Sequence, residues 1–373
     1  MAGLYIGLMS GTSLDGVDAV LARDDPAAGV VLQSVGHVGL PMPETLRAEL
    51  LALNQPGPNE LHRAALAANG VGELYAEAVV RLLAQTGQAA TEVTAIGAHG
   101  QTVRHRPQSF GGTGYTLQLL NAALLAERTG IDVVCDFRSR DLAAGGQGAP
   151  LVPAFHAACF ARPGADVAVL NLGGIANLTL LRAGGAVLGF DCGPGNLLMD
   201  LWCRRQRGAP YDAGGAWAAG GRVDEAALDR LLAEPFFDQA PPKSTGRDLF
   251  DAAWLDARLR GCAASPQDVM ATLAELTARS AVDALRQHAP ATGSLLVCGG
   301  GAFNLHLMQR LAALLAGRAT VKSTAAAGVA PEQVEALAFA WLAKAHLARR
   351  PGNLPTATGA RGPRVLGALY PAG

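Results

Sequence analysis

Four short runs of small residues follow apolar stretches in this chain: SGTSLDG (10–16), LGGIAN (172–177), DCGPGN (191–196) and CGGGAFN (298–304). Glycine lets backbone N–H groups approach an anion closely, and Ser or Thr adds hydroxyl donors, which together make a phosphate cradle. Each run taken singly also reads as an ordinary tight turn, because glycine occupies positive φ without strain. Taken in order, two hairpin turns, a turn opened by an aspartate and a triple-glycine turn suggest one nucleotide held between two similar domains. Competing motifs fit worse. A P-loop requires G-x-x-x-x-G-K-[ST], and none of the three lysines, Lys243, Lys322 and Lys344, sits in that frame. The opening strand lacks G-x-G-x-x-G, and the KSTG string at 243–246 has no S-x-x-K nucleophile to accompany it.

Titratable side chains cluster at the same strand ends. Asp191 closes the apolar run AVLGF and opens DCGPGN. Two roles stand open for it: a general base taking a proton from a nucleophile, or an Asx-turn residue capping the helix that begins at GNLLMDLW. Asp15 and Asp18 have the same ambiguity, between positioning Mg²⁺ or water near phosphates and stabilising a hairpin turn. His99, in GAHGQTVRHRP, lies where a strand should end, beside Gln101. Arg138 and Arg140 in DFRSRD follow another strand, where a guanidinium binds the oxygens of an acidic ligand bidentately or braces a loop. Glu335 stands among small residues on the last helix, either facing a pocket or exposed, and Trp341 reads as core.

The elements that must position these groups alternate as in an α/β protein. Residues 4–8 and 17–22 read as two short strands, and 167–172 and 177–181 repeat that hairpin around GGIAN. The repeat suggests a duplicated domain with its halves facing each other across a cleft. Val269, Leu273, Leu276 and Leu285 mark a long amphipathic helix. At 373 residues the chain exceeds the size of one ordinary core. Thirty basic and thirty-one acidic residues nearly cancel, leaving no stripe for nucleic acid or an anionic membrane. No apolar stretch reaches the roughly 18 residues of a membrane span. The first apolar run is cut at 10–15 with no basic stretch before it, so a secretory signal is not expected and the cytoplasm is the expected location. Six widely spaced cysteines lack C-x-x-C pairs and read as reduced thiols.

The strings IGLMSGTSLDGVDAVL, GAHGQTVRH, DFRSRDLAAGGQGAPLVP, NLGGIANLTLL, GFDCGPGNLLMD, PKSTGRDLF, CGGGAFN, EALAFAWLA, PGNLP and GALYP run end to end through the chain. In that order they closely resemble the anhydro-N-acetylmuramic acid kinases, of the acetate and sugar kinase, Hsp70 and actin superfamily. The resemblance implies two RNase H-like domains facing each other across a nucleotide-binding cleft. We expect the first at 1–163, the second at 164–351, and 352–373 packing back on the first. It implies ATP and Mg²⁺ as cofactors, with ATP contacts from Gly11, Thr12, Ser13, Leu14, Asp15, Gly16, Val17 and Asp18 and from Gly173, Gly193, Gly299 and Gly300. It implies Asp191 as the base that deprotonates water, Glu335 as a sugar contact, and a cleft location for His99, Arg138 and Arg140. The reaction implied opens the 1,6-anhydro bridge and phosphorylates O6, on the peptidoglycan recycling route, and the family suggests a homodimer. Valine at Gly11 or Gly16 is expected to weaken ATP binding without unfolding the protein. A chaperone-like rival fits poorly, since no peptide-binding β-domain follows.

Overall fold

The computed structural model describes residues 3–11, 13–25, 31–241, 243–246 and 249–373. The α/β chain divides into two compact units, Met1–Cys159 with Gln333–Gly373, and Phe160–Glu332.

The first unit opens with an antiparallel meander of β1 (Gly3–Met9), β2 (Gly16–Asp24) and β3 (Gln33–Pro41), in which Leu8 faces Ala19 and Val17 faces Leu40. Helices α1 (Glu44–Ala52) and α2 (Glu60–Thr86) follow. Val71, Tyr75, Val79 and Leu82 of α2, spaced three and four apart, bury one face against Ile6, Leu8 and Leu21. Strand β4 (Val93–Ala98) returns parallel to β1 and sets Gly97 beside Gly7. The apolar run of 93–103 does not continue as one strand. It breaks at His99 and at Gly100 (φ +77°), then re-forms as a separate hairpin of β5 (Gln101–Pro107) and β6 (Gly114–Leu119). Asn121 caps α3 (Ala122–Thr129) by accepting the Leu124 N–H at 3.0 Å. Next come β7 (Val133–Cys135), parallel to β4, and the helices α4 (Ser139–Ala143) and α5 (Val152–Phe160).

The second unit repeats the plan. Strands β8 (Val167–Leu172), β9 (Ile175–Leu181) and β10 (Val187–Pro194) form the meander. Helices α6 (Leu197–Arg207), α7 (Ala216–Ala219), α8 (Glu225–Leu232), α9 (Ala252–Arg258) and α10 (Pro266–His288) follow. Ser265 caps α10, with Pro266 at its first turn. Strand β11 (Ser294–Cys298) lies parallel to β8; α11 (Leu305–Leu314) leads to β12 (Thr320–Ser323), parallel to β11. Val269, Leu273, Leu276 and Leu285 are all buried in this unit's core.

The chain then returns to the first unit through α12 (Val334–Leu347), α13 (Pro355–Thr358) and β13 (Ala368–Tyr370), the last pairing with β7. Apart from β13, the first sheet runs β7-β4-β1-β2-β3 and the second β12-β11-β8-β9-β10. Strand senses match position by position. The duplication read from two hairpins therefore extends to whole sheets. One boundary shifts: 333–351 was expected in the second domain, but α12 packs on the first sheet. A Cβ on Gly7 would lie 1.7 Å from Ala336 O, and one on Gly97 1.9 Å from Phe339 O, so the helix backbone rests directly on two neighbouring glycines.

Candidate active site

In the second unit, three of the four glycine runs meet. The β8–β9 turn offers its carbonyls to the start of α6: Gly195 and Leu197 donate to Gly174 O at 2.9 and 3.1 Å, and Asn196 donates to Gly173 O at 2.8 Å. Asn196 Nδ2 donates to Leu172 O at 3.0 Å, and Thr277 of α10 donates to Pro194 O and Gly195 O, both at 3.0 Å. A Cβ on Gly301 would meet Leu172 Cβ at 2.5 Å and Asn196 Oδ1 at 3.1 Å, which ties the third run to the other two.

What a Cβ would meet sorts these glycines by the reason each is glycine. Gly193, Gly195, Gly299 and Gly301 are hemmed in by the protein itself; at Gly299 (φ +79°) the nearest atom, Asn171 Oδ1, would lie 2.4 Å away. At Gly173 and Gly300 the nearest atoms lie 3.6 and 3.8 Å away, and at Gly174 nothing lies within 4 Å. Among the described residues nothing crowds those three, and their bare backbone suits the close approach of a phosphate.

Asp191 lies inside β10, opposite Asn177, next to the register shift before Gly193. The Asx-cap reading fails, because Asn196 is the residue at the N-cap of α6 and the Asp191 carboxylate turns elsewhere. Its Oδ2 accepts from Ser244 Oγ at 3.0 Å and from the Thr245 N–H at 2.9 Å, while the Asp191 N–H donates to Lys243 O at 3.1 Å. Lys243 is buried, donating to Phe236 O (3.1 Å) and Phe237 O (2.9 Å), with its Nζ 4.7 Å from the Phe236 ring centre. Withdrawal from water pushes the Asp191 carboxyl up to about 6, opposed by the Thr245 and Ser244 donors and by the Lys243 charge. A carboxylate tuned to that value is ionised at neutral pH yet a far better proton acceptor than an ordinary aspartate. The KSTG string, which lacks an S-x-x-K partner, thus clamps Asp191, a use the sequence does not reveal because 53 residues separate the partners.

The first unit carries a second polar cluster. At the end of β4, His99 accepts on Nε2 from Arg138 Nε (3.1 Å) and Nη2 (2.8 Å), and Arg138 Nη1 donates to Gly148 O at 2.7 Å. Burial and the adjacent guanidinium hold His99 well below the usual imidazole range, so it is neutral with its proton on Nδ1. Burial lowers Arg138 to about 10, and the charges of Glu335 and Asp141 keep it cationic. Three predicted residues, His99, Arg138 and Glu335, thus come together, while Arg140 is exposed on α4 and makes no contact with them among the described residues. Asp141, which the sequence reading passed over, anchors the group. Fully buried, it accepts from Gly148 N (2.7 Å), Asn353 Nδ2 (2.7 Å) and Thr358 Oγ1 (2.8 Å), so the PGNLP stretch fixes the carbonyl that orients Arg138.

The loop at 10–18 divides in two. At Gly11 a Cβ would find its nearest atom, Ser13 Oγ, at 3.6 Å, so its backbone is as open as that of Gly173. Gln101 Nε2 donates to Gly11 O at 3.2 Å and Ser10 Oγ pairs with the buried Tyr75 hydroxyl at 3.0 Å, bracing the loop from beneath. Ser13 is half-buried and Asp15 exposed, while Asp18 pairs with His37 Nε2 at 2.9 Å. Leu14 and Val17 are core residues. Gly16 is glycine for packing: a Cβ would lie 2.3 Å from Leu40 O, so valine there disrupts the β2–β3 pair instead of sparing the fold as expected. Thr12 lies outside the described residues. Among the described residues no group of three or more His, Cys, Asp or Glu side chains is arranged to hold a metal. Nor is any helix long and apolar enough to cross a membrane.

Comparison with known proteins matches residues 3–372 to the family model described as anhydro-N-acetylmuramic acid kinase. Curated proteins of that name are similar over nearly the whole chain. The one from Bordetella petrii is 64% identical, covering 99% of this chain and 96% of its own. The one from Variovorax paradoxus is 61% identical and covers 100% of both, and that from Bordetella pertussis is 61% identical over 99% and 96%.

Proposed function

Because this chain belongs to the anhydro-N-acetylmuramic acid kinase family, and is therefore a sugar kinase, we propose that it couples phosphoryl transfer from ATP to hydrolysis of the 1,6-anhydro bridge. The observation that carries the chemistry is the Asp191 carboxylate, clamped on Oδ2 by Ser244 and Thr245 and raised to about 6. Water attacks the anomeric carbon of 1,6-anhydro-N-acetylmuramic acid as Asp191 takes its proton; the C1–O6 bond breaks, and O6 takes the γ-phosphoryl group. The products are N-acetylmuramic acid 6-phosphate and ADP. An inverting glycosidase needs an acid to protonate its leaving oxygen; here the phosphoryl group takes that place, which accounts for one strategic carboxylate instead of two.

The open backbone at Gly11, Gly173, Gly174 and Gly300 supports cradles for the ATP phosphates. Magnesium carried by the nucleotide needs only one or two carboxylates, a demand that Asp15 and Asp18 fit, and it neutralises charge on the transferring group. Glu335, His99 and Arg138 bind the sugar in this reading. The reaction belongs to peptidoglycan recycling in the cytoplasm, carried out by a homodimer. The test is ADP release with Mg-ATP and the anhydro sugar, run beside N-acetylmuramic acid, N-acetylglucosamine and glucose. Turnover confined to the anhydro sugar and reduced by roughly 10²-fold or more in Asp191→Asn supports both substrate and base. Equal turnover of ordinary sugars overturns the substrate, and a fully active variant overturns the base.

A further inference from the structure

We infer that Ser244 and Thr245 are positioning residues that set the protonation and the aim of Asp191, with Lys243 as the anchor that holds them in place. The inference rests on the proposed role of Asp191 as base. Two donors converge on one carboxylate oxygen, Ser244 Oγ at 3.0 Å and Thr245 N at 2.9 Å, and both therefore stabilise the ionised form. The same oxygen is pinned against rotation, so the carboxylate has one orientation to offer a water molecule.

The segment supplying those donors has no regular structure of its own. It is held by Lys243, whose ammonium is buried against the carbonyls of Phe236 and Phe237 and over the Phe236 ring, and whose carbonyl accepts from the Asp191 N–H. A buried lysine satisfied by backbone carbonyls is an expensive anchor for a loop. It makes sense where its charge also acts on a neighbour. Around Asp191, the residue opposite on β9 is the neutral Asn177, and the adjacent Cys192 thiol is pushed up by burial and stays protonated, leaving Lys243 as the charged group that faces it among the described residues.

Removing the Ser244 hydroxyl takes one donor from the ionised form, so the Asp191 carboxyl must rise further. With ¹³C-labelled aspartate, an NMR titration of the intact protein without substrate reads this directly. Ser244→Ala should move the Asp191 transition up by roughly one pH unit, and Ser244→Thr, which keeps a hydroxyl, should leave it near the wild-type position. The acidic limb of kcat/KM should move with it: activity falls roughly five-fold at pH 6 and recovers by pH 9. An unmoved NMR transition in a folded Ser244→Ala protein overturns the inference. A shifted transition with an unshifted kinetic limb keeps the clamp on Asp191 and instead overturns its role as the base.

Discussion

The contact between α12 and the first sheet makes a steep prediction for Gly7→Ala. The new methyl would sit 1.7 Å from Ala336 O, 2.7 Å from Ala336 C and 2.9 Å from Ala340 N, all backbone atoms of one helix, so no side-chain rotation can make room. Relief to an ordinary contact of about 3.5 Å requires α12 to recede by nearly 2 Å. A gap of even 0.5–1 Å forfeits about a quarter to a half of each dispersion contact. On the α12 face, Phe339, Leu342 and Ala343 pack with Val134, Phe137, Leu151 and Leu366 in one buried cluster, and all of these contacts loosen together. The cost should resemble deletion of a large core side chain, about 3–5 kcal/mol. At roughly 2–4 °C per kcal/mol for a unit of this size, Tm falls by about 6–20 °C. Glu335 precedes the displaced carbonyl, so whatever folds should also show a raised KM for the sugar. The assay is thermal unfolding followed by circular dichroism, with Gly97→Ala as a second probe of the same contact, 1.9 Å from Phe339 O. A Tm within about 2 °C of wild type in both variants would refute the argument that the helix backbone rests on these glycines.

Gly300→Ala is the opposite case: its Cβ would find nothing closer than Asn196 Nδ2 at 3.8 Å, so Tm should hold while KM for ATP rises about ten-fold or more, the loss expected when a backbone cradle is blocked; a lowered Tm with ATP affinity intact would reverse its classification. Asp141→Ala strands three buried donors and should cost about 3–5 kcal/mol and loosen Arg138, read as a lower denaturation midpoint with weaker sugar binding. Acid should destabilise the protein through buried imidazoles. His99 is held well below 6.5, His105 is lowered to about 4 and His156 to about 3, each chiefly by burial, so below pH 6.5 the unfolded chain binds protons that the folded one does not, and stability falls with pH. Asp191 acts in the other direction, taking its proton near 6 when folded and near 3.8 when unfolded. Among these four groups three protons against one leave about two, a slope of roughly 2–3 kcal/mol per pH unit between pH 6 and 4.5, and His288 and His306, also lowered chiefly by burial, act in the same sense; a flat urea midpoint across that interval would show that these histidines are already satisfied as cations.

Local pattern made the architecture legible. Alternating apolar strands, the repeated hairpin, the Asn121 cap and the Ser265–Pro266 start of α10 are all read from neighbours in sequence, and the duplicated sheet order follows from them. The unit boundary was not legible, because the few polar residues of α12, Glu335, Lys344 and His346, lie on different sides of a largely apolar helix and mark no single stripe toward a partner; Gly7 and Gly97, more than 230 residues upstream, are what let it pack so closely on the first sheet.

The glycine runs show where pattern stops. SGTSLDG contains one glycine whose backbone lies open, Gly11, and one whose Cβ would strike a carbonyl, Gly16; CGGGAFN contains Gly300 of the first kind between Gly299 and Gly301 of the second. The two kinds are the same letter, and both sit in turns, so composition and spacing cannot part them. Asp191 poses the same problem in a charged residue. Its sequence neighbours allow a helix cap as readily as a base, and the groups that exclude the cap lie at Lys243, Ser244 and Thr245. A cap is satisfied by donors within its own turn, whereas a base that burial has raised needs donors brought from elsewhere to keep it ionised and aimed. The long separation between Asp191 and its clamp is thus itself the physical reason that its chemistry needed the fold to be seen.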